Sequence, residues 1–336
     1  MTLLIGIDEA GYGPNLGPLV VAATVWEVGS KSDSGMREAE VSAEQLDLYQ
    51  WLAESVSRQP SAGRIAIDDS KRLYQAGSGL ERLEWAIHAA LVASGQAGAS
   101  WSALLETLRA DPQGRRYELP WQHAFDCALP VDATVDETRR LGKRLDHTCR
   151  AARAGPMMLR GRLVFPRQFN DLIALYDSKG AALSHTTLAL LRELLTEVVS
   201  SQHGSLFRGP TIIVCDKHGG RNRYGPLLAT HFPADPIEVI EEGRAKSRYR
   251  WETPQCPVEI CIRTRGEEFL PTALASMTAK YLRELAMGCL NRFWQARVPG
   301  IRPTAGYPLD AKRFRTEIRM VQQRLGIPDH DLWRNR

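Results

Sequence analysis

Two adjacent carboxylates, Asp8 and Glu9, close the short apolar run Leu3 to Ile7, and a glycine-rich turn follows at once (Ala10-Gly11-Tyr12-Gly13-Pro14-Asn15-Leu16-Gly17-Pro18). The run is too short and too apolar to alternate, which predicts a buried strand. Asp8 and Glu9 therefore fall where solvated charges should not be. An unpaired buried carboxylate is expensive, so the pair implies a compensating cation. A divalent metal suits it, because hard cations take carboxylate oxygens. Gly11 and Gly13 let backbone amides approach a ligand with no Cβ in the way. The plain alternative is a polar turn at a strand end. A dinucleotide-binding turn fits poorly: the third glycine is at 17, one place late for Gly-x-Gly-x-x-Gly, and two acids ahead of the turn would repel a pyrophosphate. The Gly-Lys-Ser/Thr of a phosphate-binding loop is absent.

The same pattern occurs a second time. Thr211 to Cys215 is an apolar strand-like run that ends in Asp216, and Lys217-His218-Gly219-Gly220-Arg221 follows. Two strand ends set side by side would bring Asp8, Glu9 and Asp216 within reach of shared metals. Glu267 or Glu268, after the run Val258 to Arg263, can add a fourth ligand; alone, either is equally a helix-entry acid favoured by the dipole. Two divalent ions neutralise about four such charges and clamp the attacking water and the leaving oxygen of an in-line phosphodiester displacement.

The elements that must position these residues follow from periodicity. Leu19 to Val25 is a second strand, giving a hairpin-like start. Gly29 to Ala39 is polar and predicts a loop. Helical spacing marks Ser42 to Arg58, Gly79 to Ser94, Pro166 to Tyr176, Ala181 to Ser200, Thr272 to Arg292 and a basic Ala311 to Leu325. Short strands are expected near Arg64 to Ile67, Tyr249 to Trp251 and Val258 to Arg263. Residues 95–165 differ in character, with Trp101, Trp121, a basic helical stretch from Val135 to Ala154 and several Gly and Pro breaks, and read as an inserted subdomain. Strands mixed with helices, opening on a hairpin, suggest an α/β or α+β domain.

Composition narrows the setting. The chain has 336 residues, 43% of them hydrophobic, enough to bury a full core. Its net charge of +4 suits an anionic partner without proving one. Basic residues cluster at Arg244, Lys246, Arg248, Arg250, Arg263 and Arg265, and again at Lys312, Arg313, Arg315, Arg319 and Arg324, where a solvated helix face is an equal reading. Six cysteines lack Cys-x-x-Cys spacing, which argues against a zinc site or a disulfide framework. Neither a signal peptide nor an apolar run of membrane-spanning length is visible, so a cytoplasmic, reduced protein with no membrane association is expected.

The motifs resemble those of the type 2 ribonuclease H family, ribonuclease HII. Gly6-Ile7-Asp8-Glu9-Ala10-Gly11-Tyr12-Gly13-Pro14 looks like that family's first motif, and Asp68-Asp69-Ser70-Lys71-Arg72-Leu73 like its Asp-Ser-Lys-Lys-Leu segment. Val214-Cys215-Asp216 matches the strand carrying its third acid. Arg265-Gly266-Glu267-Glu268-Phe269-Leu270-Pro271 together with the helix after it, around Ser276, Ala279, Lys280 and Arg283, forms a fourth, and Ala305-Gly306-Tyr307-Pro308 completes five motifs in family order. The resemblance implies a ribonuclease H-like α/β fold with a mixed central sheet flanked by helices. It implies a catalytic domain over 1–310 interrupted at about 95–165, and a basic C-terminal helix and tail over 311–336. It implies two Mg²⁺ or Mn²⁺ ions on Asp8, Glu9, Asp216 and Glu267, and cleavage of RNA in RNA–DNA hybrids or ribonucleotide-containing duplexes by a monomer, leaving 3′-hydroxyl and 5′-phosphate ends. By position, Gly11, Tyr12 and Gly13 would approach the ribonucleotide. Tyr307 would stack beside the junction where a 2′-hydroxyl distinguishes RNA from DNA. Ser70, Lys71 and Lys280 would hold backbone phosphates.

Departures from the family stand at several of these positions. Tyr12 replaces an arginine, Glu267 is one methylene longer than the family's Asp, Lys217 adds charge beside Asp216, and Ala182 stands about where the family usually has Asn. They leave metal-dependent phosphodiester chemistry in place as the first expectation. A nucleic-acid-binding protein with weak or no catalysis and a nuclease for structured DNA stand beside it.

Overall fold

Strand β1 (Thr2–Ala10) is the pivot of the molecule, because apolar contacts cover both of its faces. Leu4 belongs to one core cluster, whereas Leu3, Ile5 and Ile7 belong to another on the opposite face of the sheet. This is why the segment reads as a continuous apolar run. The computed structural model describes residues 1–29, 46–75, 77–123, 125–200, 209–254 and 256–335. The remaining strands are β2 (Leu19–Val28), β3 (Val56–Ser57), β4 (Ile65–Ala66), β5 (Ala154–Val164), β6 (Thr211–Asp216), β7 (Glu238–Glu242), β8 (Lys246–Glu252) and β9 (Pro257–Arg263). A seven-stranded mixed sheet runs β5-β2-β1-β6-β9-β8-β7, and β3 and β4 form a separate parallel pair. The three central strands β1, β6 and β9 are parallel, and antiparallel pairing extends the sheet on both sides. The fold is therefore mixed α/β, with a mixed central sheet and helices on both faces.

The helices are α1 (Leu48–Trp51), α2 (Ser70–Leu73), α3 (Glu81–Ala93), α4 (Trp101–Thr107), α5 (Pro120–His123), α6 (Val135–Ala152), α7 (Pro166–Tyr176), α8 (Lys179–Ser200), α9 (Gly225–His231), α10 (Leu270–Gln295), α11 (Pro308–Arg324) and α12 (Asp329–Leu332). Helix α10 is the central one, and it lies on the β1–β2 face. Its first turn is pinned to two strands: Thr24 Oγ1 on β2 donates to Pro271 O at 2.7 Å, and Thr272 Oγ1 donates to Val214 O on β6 at 3.0 Å. Gly6 makes this close approach possible. A Cβ built there would meet Pro271 C and Thr272 N at 2.1 Å, both backbone atoms that cannot swing aside. Gly6→Ala is therefore expected to cost ~3 kcal/mol, the upper range for overpacking a core. A urea-melt midpoint within error of wild type would contradict this.

Several expectations meet a different outcome. Of Ser42 to Arg58, read as one helix, the described part holds only the short α1, capped by Asp47, and then β3, whose Val56 pairs in parallel with Ile65. Pairing between distant segments overrides local helical spacing here. Residues 42–45, and 30–39 of the Gly29 to Ala39 loop, lie outside the described residues. Within the stretch 95–165, strand β5 (Ala154–Val164) pairs with β2 from Leu19↔Val164 to Val28↔Ala154. Helix α6 packs its buried stripe of Leu141, Leu145 and Cys149 into the same core as α3 and α10. The basic helix α11 likewise buries Ala311, Phe314 and Ile318 in that core, leaving its cations outward. Arg248 and Arg250 of the first basic run both pair with Glu259 on the neighbouring strand. Among the described residues, no helix is long and apolar enough to cross a membrane.

Candidate active site

The acids converge because parallel pairing puts two strand ends side by side. The β1–β6 register reaches Ile7↔Cys215, so its next step sets Asp8 beside Asp216. Side chains alternate along a strand, so Asp8 and Asp216 both point to the α10 face, as Leu4 and Ile212 do. Glu267 sits on the 3₁₀ turn Gly266–Glu268 that leads into α10. Gly266 brings this turn against Asp216: its N–H donates to Asp216 Oδ1 at 3.2 Å, and a Cβ there would meet Asp216 Cα and N at 3.1 Å.

Each of these carboxyls is held above its ordinary range. Burial comes first for Asp8, followed by the negative charges of Glu9 and Asp216; hydrogen bonds from Ser276 and the Glu9 amide only partly offset them. Burial and then Asp216 raise Glu9 to about 7, against a pull from Lys71. Burial also raises Asp216 and Glu267, with Asp69 adding to both and Asp216 to Glu267. Lys71 is the cation in the middle. Burial pushes its ammonium down, but Asp69, Asp8, Asp216 and Glu9 together push it up further. Three acids from two separate chain segments thus act on one lysine from a third.

Other buried acids in this protein are handled differently. Glu84, fully buried in α3, accepts from the backbone amides of Val131, Asp132 and Ala133 and from Tyr281 Oη. Asp331 takes a bidentate pair from Arg167 at 2.7 and 2.9 Å. Structural carboxylates here are fully satisfied, as burial demands, whereas the Asp8 group keeps an excess of negative charge. Among the described residues, no three His, Cys, Asp or Glu side chains stand at the spacing of ligands around one ion. The donor set nonetheless suits a hard divalent cation in kind and in charge: carboxylate oxygens, partly desolvated, with surplus anion.

Ser70 and Lys71 reach the site through α2. Asp69 caps that helix by accepting from the Lys71 amide, and Ser276 Oγ lies 3.2 Å from Ser70 Oγ, linking α2 to the Asp8 partner on α10. Lys280 is engaged elsewhere: its Nζ is 2.6 Å from Glu284 Oε1 and lies over the Tyr74 ring. The glycine-rich turn begins directly after Glu9. Gly13 is exposed, with open space around its Cα, while Tyr12 is half-buried and its hydroxyl approaches Gly180 and Gly219. Tyr307 is 54% exposed beside that turn, since Gly306 O accepts from the amides of Asn15 and Leu16. Lys217 turns away from the acids; its Nζ bonds Asn222 Oδ1 and the carbonyls of Gly243 and Arg244.

Sequence reasoning did not assign Ser276 or Asp69 a role at the acids, nor Arg283 and Arg334 a role at the turn. The first two lie inside the motifs noted above, next to residues that were singled out. Nothing in the sequence marks Arg334, which meets Gly11 across 323 positions.

No family model matches the chain, and no curated protein does. Among solved structures it is similar to a chain of the PCNA:RNase HII complex from Archaeoglobus fulgidus, at 15% identity over 99% of this chain and 94% of that one, TM-score 0.38. It is also similar to ribonuclease H2 from Pyrococcus horikoshii OT3, at 13% identity over 98% and 92%, TM-score 0.41. RNase H3 from Aquifex aeolicus aligns at 14% identity over 88% of this chain and 62% of that one, TM-score 0.29. The structural resemblance is distant.

Proposed function

We propose that this chain is a metal-dependent endonuclease of the ribonuclease HII type, hydrolysing phosphodiester bonds of RNA in RNA–DNA duplexes. The observation that carries the reading is the electrostatic meeting of Asp8, Glu9 and Asp216 around Lys71, at the ends of two adjacent parallel strands. The five sequence motifs and the mixed sheet that positions them support it.

Asp8, Glu9, Asp216 and Glu267 would hold one or two Mg²⁺ or Mn²⁺ ions. When bound, such ions neutralise charge that develops on a phosphate undergoing displacement. The protein's own groups do the rest. Ser276 orients Asp8 through its hydroxyl, and Ser70 in turn buttresses Ser276. Lys71 meets the phosphate backbone at the edge of the acids. The amides of Tyr12 and Gly13 face the sugar-phosphate, and Tyr307, exposed beside them, supplies an aromatic face for the junction nucleotide. Lys280, paired with Glu284, has a lesser claim to a phosphate.

Three duplexes test the proposal: one carrying a single ribonucleotide, a full hybrid, and an all-DNA junction, each with Mg²⁺ and with Mn²⁺. Cleavage is expected of the ribonucleotide-containing duplexes alone, with 3′-hydroxyl and 5′-phosphate ends. Cleavage confined to the junction would assign a structured-DNA nuclease instead. Binding without cleavage under every condition would leave a nucleic-acid-binding protein.

A further inference from the structure

We infer that Arg334 is a positioning residue that sets the conformation of the glycine-rich turn from the far end of the sequence. Its guanidinium donates from Nη1 to Gly11 O at 2.5 Å and from Nη2 to Tyr12 O at 3.0 Å. Its own amide donates to Asn15 O at 2.9 Å, and Trp333 bridges Leu16 beside it. One residue therefore touches the turn at three backbone positions. Arg334 is only 3% exposed, and its guanidinium lies over the Phe169 ring at 4.0 Å.

The charge on Arg334 has no structural excuse. Among the described residues no carboxylate pairs with it, and its Nε has no hydrogen-bond partner. Burial, reinforced by nearby Arg283, pulls its pKa down to about 9. Burying a cation without a counter-ion is costly, and a packing role alone would be better served by an apolar side chain. Among the described residues, the two carbonyls and the face of Phe169 are the groups that meet its charge.

Their orientation has a direct consequence. In a trans peptide the C=O of one residue and the N–H of the next point in opposite directions. With the carbonyls of Gly11 and Tyr12 turned inward to Arg334, the amides of Tyr12 and Gly13 turn away from it. Among the described residues, no backbone group accepts a hydrogen bond from either amide. Gly11 holds φ at +86°, and a Cβ there would strike Arg283 Nε at 2.5 Å, so the turn rests directly on a second buried guanidinium. Arg283 Nη2 in turn reaches Leu16 O and Ala305 O. The turn itself carries no cation, and two arginines beneath it supply a fixed positive field behind its free amides. The anchor is itself braced: Asn170 Nδ2 donates to Trp333 O, and the Asn335 amide donates to Asn170 Oδ1.

The inference rests on the nuclease reading for what the turn contacts, but not for how the turn is held. The test compares the full chain with Arg334→Met and Arg334→Lys in steady-state cleavage of the single-ribonucleotide duplex and in hydrogen exchange. Arg334→Met is expected to raise KM at least tenfold with kcat changed less than about threefold. Exchange at the Asn15 and Leu16 amides should rise while exchange in β1, from Leu3 to Ile7, stays as in wild type; a general loss of stability would move both. Arg334→Lys, with one point of contact in place of two, should recover part of each effect. Unchanged KM with unchanged exchange in Arg334→Met would overturn the inference. So would equal acceleration of exchange in the turn and in β1. If Arg334→Met does not fold, Arg334→Lys decides: intermediate values support the role and wild-type values refute it. If the wild-type chain cleaves no duplex, the nuclease reading fails, and the exchange pattern alone still decides whether Arg334 holds the turn.

Discussion

Asp8→Asn is expected to abolish cleavage, by ~10³-fold or more, and at the same time to make the metal-free protein more stable. On the proposed reading the loss follows from removing a carboxylate that would hold a divalent ion, whose neutralisation of the developing phosphate charge is worth several kcal/mol. The gain follows from the cause of the raised Asp8 carboxyl: burial, then repulsion from Glu9 and Asp216. Asn keeps the shape and can still meet Ser276, but carries no charge to desolvate. Relief of such function-serving strain commonly stabilises by roughly 1–2 kcal/mol. Asp216→Asn should move both quantities in the same directions, since burial raises that group as well. The two readings are independent: Mg²⁺-dependent cleavage on the single-ribonucleotide duplex, and a urea melt in chelator. Full activity in either variant would refute the metal assignment. A variant that is inactive and destabilised would mean that the acids serve the fold.

The second large effect is a linkage between protons and divalent ions at Glu9. Burial and the Asp216 charge push its folded pKa up from 4.5 to about 7. Between these values the folded state binds more protons than the unfolded state, so this group's contribution to stability falls as pH rises from about 4.5 to about 7 and is flat above. A shift of that size, at about 1.36 kcal/mol per unit, is on the order of 3 kcal/mol. Asp8, Asp216 and Glu267 are raised and act with the same sign. Two histidines oppose it: buried His218 is lowered to about 3 and half-buried His231 to about 4, so each loses stability as pH falls below the ordinary histidine range. The clean measurement is therefore a difference. In chelator, the stability of wild type minus that of Glu9→Gln should become more negative from pH 4.5 to pH 7. Millimolar Mg²⁺ should raise the wild-type melting temperature at pH 8 by several degrees and have little effect at pH 5, where protons already neutralise the cluster. A difference that does not change with pH, or Mg²⁺ stabilisation equal at both values, would rule out an acidic ion site at Glu9.

Much of the site was legible because its signals are local. An apolar run that ends in an acid identified a strand terminus at Asp216; at Asp8 the strand runs on to Ala10, and only its pairing with the parallel neighbour stops at Ile7. The register that sets them side by side is not local, yet two parallel central strands ending at one edge are the common way to gather such acids. Glu267 and Glu268 stand where the sequence put them, on the turn at the entrance to a long helix. Lys280 shows the limit. Its position in a motif suggested phosphate, but Glu284, one turn along the same helix, takes its charge. Lys217 shows it again, since the backbone carbonyls that hold it come from residues 243 and 244.

The chain's own order of residues marked the central strands β1, β2, β6 and β9, the acids near the ends of two of them, and where glycine would permit close approach, because these depend on neighbours within a few positions. Only the tertiary structure decided that Ser276 would orient Asp8, that 154–164 would extend the sheet as its edge, and that Arg334 would lie beneath Gly11 and Tyr12. Those contacts join residues separated by up to 323 positions, and no periodicity encodes them. They arise when chain closure brings buried polar groups together and each must find a partner that only the folded arrangement provides.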